Sequence, residues 1–574
     1  MNSEKRKISI KFNVLAIIAI IIFCFALCPK TLQNDTFYTI RIGELILNNG
    51  IDMQDHFSWH ESLPYTYPHW AYDTGIYLIY HLGELTGIPD GGMLFIYAST
   101  IILACILGIL IYYINNKLTK NKLVSFFITM FAMYLLKDFI AARAQLVTFI
   151  LFALTILFIE NFLESKKKWY LLGIILISIV IANVHVAVWP FFFVLFLPYI
   201  AEYVIAWIAE KNVIQRFKIF NKKDIVKNLE KKLSKQTDEL EKEFLKQKLE
   251  KAKENLILEQ EKLEIIKEKG KKLRENPYKI KVRKENAVLW LILAMIICVC
   301  TGLLTPLGDT PYTYLVKTMQ GNTTASISEH LPLTLYNDKH TMIVLVVLLF
   351  ILIFTDTKIK LRDLFMITGL IYLSFMSRRQ ISLLILIGGF IFSKLLTYLV
   401  EKYDQEGCRK FTKFMTTIIG RVCTIAIVIL VAFAIYKPKM NNKYINTSSY
   451  PVEASTWILE NLDVQNIRLY NEYNYGSYLL FRGIPVFIDS RADLYAPEFN
   501  GTKNEEGKYE GRNIFSDYIN ISSIGTYYET KFEEYDITHV IVVKKAKLNM
   551  FLSRNSDYKE LYSDDNFVIY ERNV

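Results

Sequence analysis

The chain has 574 residues, 52% of them hydrophobic and 14% aromatic, with 67 Lys and Arg against 56 Asp and Glu. That is more apolar surface than a water-soluble fold with 21% charged residues carries, so the composition directs the reading to a membrane. The seven cysteines form neither a Cys-x-x-Cys nor a paired Cys/His spacing, which argues against a disulfide framework or a cysteine metal cluster.

The first apolar run, Val14 to Cys28, follows Lys5, Arg6, Lys7 and Lys11. No small-x-small cleavage site precedes Pro29, so the run reads as a retained helix with a cytoplasmic N-terminus rather than a removed signal. Further runs of spanning character follow at Gly92 to Ile114, Leu123 to Ala142, Val147 to Leu163, Leu171 to Ala187, Trp189 to Ala209, Ala287 to Leu304, Thr341 to Thr355, Leu364 to Ser377, Ile381 to Leu399 and Thr416 to Tyr436. With these spans the loops holding Lys117 to Lys122, Lys166 to Lys168, Lys211 to Glu285, Lys358 to Arg362, and Arg409 with Lys410 all fall inside, as the positive-inside rule asks. The expected fold is a polytopic α-helical membrane protein of about eleven spans with a small extracytoplasmic α/β domain at its C-terminus. Its divisions are a membrane module over 1–210, a basic cytoplasmic insertion over 211–286, a second membrane module over 287–436 and the α/β domain over 437–574.

The first outer loop, 30–91, opens with Asn34-Asp35-Thr36-Phe37-Tyr38. It contains two amphipathic stretches, Phe37 to Leu47 and Trp70 to Leu85, which read as helices in the interface plane and set Asp35 at the membrane surface. All eight histidines, His56, His60, His69, His81, His185, His330, His340 and His539, fall on the outer side of this topology. They mark a site there, or they record only that aqueous loops accept histidine better than apolar helices do.

Between Lys211 and Glu285 there are 24 Lys or Arg and 14 Asp or Glu, so this insertion holds nearly all of the net charge of +11. Leu249, Ala252, Leu256, Leu263 and Ile266 form one apolar stripe on a charged helix that restarts after a turn at Ser234 to Thr237. A solvated coiled-coil spacer, a protein partner and anionic lipid headgroups all fit such a segment. Nucleic acid does not, because the charges are mixed and stacking aromatics are sparse.

Lys137, Arg143, His185, Glu329, Arg378 and Arg379 lie where spans emerge on the outer side. Charge at membrane depth marks ligand sites, and the forked donors of adjacent arginines suit a lipid-linked phosphate. Snorkelling to the interface is the alternative for each taken alone. After Lys439 the pattern changes to a helix at Pro451 to Leu462 and short strands at Ile467 to Tyr470, Pro485 to Ile488, His539 to Val543 and Phe567 to Tyr570. Asp489, Arg491 and Asp493 follow the Pro485 strand at the carboxyl end where α/β sheets bind ligands, and an ion pair that fixes the loop explains them equally well.

Several of these pieces occur in an order that resembles the GT-C superfamily of membrane glycosyltransferases. They are Asp35 with Ile42-Gly43-Glu44-Leu45-Ile46-Leu47, Asp55-His56-Phe57-Ser58, Arg143-Ala144-Gln145, Asn183-Val184-His185, Thr305-Pro306-Leu307-Gly308, Ser328-Glu329-His330, Arg378-Arg379 and Asp489 to Tyr495. The resemblance implies inverting transfer of a sugar from a polyprenyl-phosphate donor on the outer face of the membrane, with Asp35 as general base or metal ligand and Asp55 as the second candidate. Arg143, His185, Glu329, Arg378 and Arg379 are the candidates for the donor phosphate, and His56, His69, Asp489 and Arg491 for the acceptor side. Members often carry paired acids in the first loop, whereas Asp35 stands between Asn34 and Thr36, so a divalent Mg or Mn ion stays an open expectation. A non-catalytic envelope-assembly protein on the same scaffold and a flippase for a lipid-linked precursor are the alternatives. Low cysteine use with abundant Lys, Asn and Ile suggests a bacterial plasma membrane.

Overall fold

The computed structural model describes residues 3–236, 238–275, 279–321, 327–334, 336, 338–525 and 528–573. Among the described residues six helices are long and apolar enough to cross a membrane: Ile8–Leu27, Gly91–Thr119, Ala144–Ser165, Val186–Glu210, Arg378–Tyr403 and Ile418–Lys439. Shorter apolar helices occupy Lys122–Leu135, Trp169–Val184, Val288–Thr301 and Lys339–Phe354, and the Leu364 run is the C-terminal part of a helix over Leu361–Met376. Large apolar side chains such as Ile296, Leu349 and Ile427 point outward from this bundle, the arrangement that a hydrocarbon solvent favours. The chain is a membrane protein.

Two spans differ from the sequence expectation for local reasons. The helix from Lys122 stops at Leu135, where charged Lys137 and Asp138 enter a short 3-10 turn, and Ala142 lies beyond it. The Trp189 span is assembled from Trp189–Val194 and Leu197–Lys211, each with proline in its first turn, where the missing N–H costs nothing.

At one end of the bundle, helices Val213–Leu233 and Glu239–Glu275 pack as a hairpin, with Lys253 Nζ 2.9 Å from Glu230 Oε1. Of the turn expected before it, Thr237 lies outside the described residues, and Asp238 accepts from the Leu240 N–H at 3.1 Å. Nearby, Glu160, Arg362, Asp363 and Lys394 form a charged network inside the bundle, with Arg362 Nη2 to Glu160 Oε2 at 3.1 Å and Lys394 Nζ to Asp363 Oδ1 at 2.9 Å.

At the other end, helices Asn34–Asn49 and Trp70–Glu84 lie against each other. Their crossing requires glycine at position 43, because a Cβ there would stand 2.1 Å from the Asp73 carbonyl oxygen. The C-terminal segment packs on this layer. Its sheet runs Leu469–Tyr470 parallel to His539–Val543, then Phe567–Arg572 antiparallel, then Tyr558–Ser563 antiparallel at the edge.

The expected strand over Pro485 to Ile488 does not join that sheet. Val486 pairs instead with the first loop, donating its N–H to the Phe57 carbonyl at 3.1 Å and accepting from the Trp59 N–H at 3.2 Å. Trp59 Nε1 donates to the Leu469 carbonyl at 3.0 Å, and the His60 ring contacts the Phe487 carbonyl at 2.8 Å. First loop and C-terminal segment therefore share one apolar core, which includes Phe37, Tyr67, Tyr478 and Phe487. That shared core fixes the wall of the site.

Candidate functional site

A cavity of about 1010 Å³ opens where the first loop, the ends of several spans and the C-terminal segment converge. Asp35 reaches it from the first turn of the Asn34–Asn49 helix, where the exposed amides favour a negative charge. Arg143, in extended backbone just before the Ala144–Ser165 helix, places Nη2 2.6 Å from Asp35 Oδ2. Its Nη1 lies 3.7 Å from Oε1 of Glu329, which a short 3-10 turn over Ser328–His330 presents. The Asp35 and Arg143 side chains are 21% and 26% exposed, so the pair is open to the cavity rather than sealed.

Arg378 and Arg379 stand on another 3-10 turn, which is pinned by the Arg378 N–H donating to the Leu331 carbonyl at 2.9 Å. Arg379 lines the main cavity and an adjoining one of about 440 Å³, whereas Arg378 lines the smaller one. Arg143 and Glu329 border both. His69 and His330 line the main cavity; burial, reinforced by the Arg379 charge, pushes their imidazoles down to about 3 and about 4, so both are neutral at physiological pH. Beside the charged groups the wall is apolar, with Phe191, Leu331, Leu373 and Met376.

The other candidates occupy different positions. His185 lies behind the wall, its Nδ1 2.9 Å from the Thr148 hydroxyl and its ring 4.8 Å from that of His69. His56 is half-exposed and pairs with Asp52 at 2.5 Å, away from the cavity. Asp55 and Asp489 clamp Arg491: Nη1 to Asp55 Oδ1 is 2.6 Å, Nη2 to Asp489 Oδ2 is 2.7 Å and Nε to Asp489 Oδ1 is 2.9 Å. Tyr495 donates to Asp489 Oδ2 at 2.6 Å, and the side chains of all three charged residues are at most 2% exposed. Burial raises the Asp55 carboxyl, but Arg491 and Ser58 hold it below the usual carboxylate range overall. A carboxylate so enclosed is a brace between loop and C-terminal segment and is out of reach of a substrate proton.

The residues do not fit a divalent cation. Among the described residues no three His, Cys, Asp or Glu side chains converge as metal ligands. Two cavity carboxylates, Asp35 and Glu329, already share the Arg143 guanidinium as their counter-charge.

Sequence reading did not single out Tyr65 or Tyr473 among the cavity-lining groups, and it named Asp493 only with Asp489 and Arg491 at the end of the Pro485 strand. Asp493 accepts a hydrogen bond from the Tyr314 hydroxyl, Tyr65 lies buried in the wall, and Tyr473 donates to the Ser490 carbonyl at 3.1 Å.

Comparison with solved structures bears on the fold. The apo crystal structure of the oligosaccharyltransferase of Archaeoglobus fulgidus superposes with a TM-score of 0.51, covering 95% of this chain and 70% of that one at 12% identity. The chain shares its overall fold with that archaeal protein. A second structure of the archaeal enzyme, in complex with an inhibitory peptide and a dolichol-phosphate, has a TM-score of 0.46 at 13% identity, with 100% and 75% of the two chains covered. No protein-family model and no curated protein matches the sequence.

Proposed function

We propose that the chain is a membrane glycosyltransferase that moves a sugar from a polyprenyl-phosphate-linked donor to an acceptor hydroxyl. The observation that carries the reading is the placement of Asp35 and Arg379 around one cavity whose flank is apolar. In this reading Phe191, Leu331, Leu373 and Met376 receive the first isoprene units, and Arg379, with Arg378 behind it, holds the phosphate.

The chemistry follows from that placement. The acceptor oxygen bonds to the anomeric carbon while the bond from that carbon to the phosphate oxygen breaks on the opposite face, so the configuration inverts. The departing electron pair goes to the phosphate, whose growing charge Arg379 stabilises. The acceptor proton passes to Asp35. Arg143 bonds Asp35 through Oδ2, which orients the carboxylate and leaves Oδ1 toward the acceptor. Asp55 braces the wall through Arg491 and takes no proton.

We assign the cavity to the outer face of a bacterial plasma membrane, with eleven spans, a cytoplasmic N-terminus and the hairpin over 213–275 in the cytoplasm. The basic loops of the opposite end carry that orientation. The test is turnover by the purified protein in proteoliposomes, with undecaprenyl-phosphate-linked glucose, galactose, mannose and N-acetylglucosamine as donors, a panel of methyl glycosides and Ser/Thr peptides as hydroxyl acceptors, and release of undecaprenyl phosphate as the readout. Asp35→Asn is expected to lower release on the order of 10²–10⁴-fold, the range of a lost general base. Release that survives the substitution contradicts the assignment.

A further inference from the structure

The C-terminal wall of the cavity has its own chemistry, distinct from the arginine side. Tyr473, Phe515 and Tyr518 form an aromatic group there, with ring centroids 5.8 Å apart for Tyr473 and Phe515 and 6.2 Å for Tyr473 and Tyr518. In the lining of the same cavity, Tyr314 lies edge-on to Phe499 at 5.1 Å and donates to Asp493 Oδ2. Asp493 is half-buried and lines the cavity. Two residues at the cavity lining carry buried side-chain oxygens without a hydrogen-bond partner among the described residues, Tyr65 Oη and Asn34 Oδ1, and Tyr65 is 6% exposed.

Unpaired buried polar atoms are costly unless a ligand satisfies them. Aromatic rings beside acceptors that await donors suit a ligand with an apolar C–H face and a rim of hydroxyls. A pyranose has both.

We propose that the acceptor is a saccharide, held with its C–H face on the Tyr473, Phe515 and Tyr518 rings and its hydroxyls on Asp493 and Tyr65. The inference rests on the transferase reading of the cavity and names the acceptor class for it. Asp493 anchors one hydroxyl while a neighbouring hydroxyl points across the cavity toward Asp35. Burial pushes the Asp493 carboxyl above the usual carboxylate range, and in either protonation state it can bond a hydroxyl.

Saturation-transfer NMR on the full-length protein in nanodiscs tests this, with methyl β-glucoside, methyl β-galactoside and methyl β-N-acetylglucosaminide as probes and an acetylated Asn-Ser-Thr peptide as rival. At least one glycoside is expected to bind through its ring C–H protons. Asp493→Ala and Tyr473→Leu should each weaken it by roughly tenfold, the value of a lost charge-assisted hydrogen bond or stacking contact. Asp493→Asn keeps the shape of the site and should weaken binding by a smaller factor, so a misfolded alanine variant leaves the inference testable. Asp35→Asn should leave glycoside binding intact while abolishing transfer. Turnover that survives in Asp35→Asn, with glycoside binding still dependent on Asp493, sinks the base assignment and spares the subsite. No glycoside binding, binding indifferent to Asp493 and Tyr473, or displacement of the glycoside by the peptide as the tighter ligand overturns the saccharide acceptor.

Discussion

Arg143 Nη2 lies 2.6 Å from Asp35 Oδ2, joining residues that are 108 positions apart and stand at the starts of two different helices. The guanidinium fixes the carboxylate without enclosing it. Arg143→Gln should therefore leave the fold nearly intact and misplace the base, lowering turnover by about 10²-fold, the usual cost of small misplacement in a site. A kcat effect with little change in donor KM is the expected signature, read from steady-state kinetics in proteoliposomes.

Arg379 should be detectable through its neighbours. Its charge adds to burial in holding His69 and His330 down at about 3 and about 4. Arg379→Gln should raise both values toward the ordinary 6.5, and titration of the imidazole ring signals by NMR would read the change. The same variant should bind undecaprenyl phosphate at least tenfold more weakly, since a charge-assisted pair to phosphate is lost.

The buried brace predicts a stability effect without a chemical one. Arg491→Leu leaves Asp55 and Asp489 facing each other without a cation and should cost about 3–5 kcal/mol. Asp55→Asn keeps the shape and one hydrogen bond to Arg491, so its loss should be smaller and any turnover loss should track the loss of folded protein. Thermal denaturation of detergent-solubilised variants measures both.

His60 gives the pH dependence a sign. Its ring is 7% exposed, and burial lowers it to about 4 from 6.5. The folded state therefore binds the proton less readily than the unfolded state, so this contribution is full above pH 6.5 and is lost as pH falls toward 4. The size is about 3 kcal/mol at 1.36 kcal/mol per pH unit. His60→Gln, which can still donate to the Phe487 carbonyl, should lose less stability than the parent between pH 7 and pH 4.5. A parallel pair of curves would contradict the assignment.

Some of this was legible in the residues and some was not. The apolar runs announced their helices because hydrophobicity is a local property, and the amphipathic stretches at Phe37 and Trp70 announced the two helices that carry Asp35 and His69 into the site. That Arg143, Glu329 and Arg379 stand with Asp35 round one cavity agrees with their common position at span ends. The Pro485 to Ile488 run reads as a sheet strand by pattern, yet it bridges to Ser58 of a loop more than 400 residues earlier, a pairing that periodicity cannot express. The same holds for Tyr314 with Asp493, and for Lys394 inside an apolar helix, which is neutralised by Asp363 from the preceding helix. Asp55 is the second candidate base only through the resemblance; its enclosure depends on Arg491, far along the chain.

The proposed transfer site would be seen most directly in a cryo-EM map of the protein in nanodiscs with undecaprenyl phosphate. The expected map has the phosphate within hydrogen-bond reach of Arg379, the first isoprene units along Phe191, Leu373 and Met376, and open space between phosphate and Asp35 wide enough for a sugar. A lipid headgroup bound elsewhere, with Asp35 and Arg379 facing an empty cavity at saturating lipid, would contradict it.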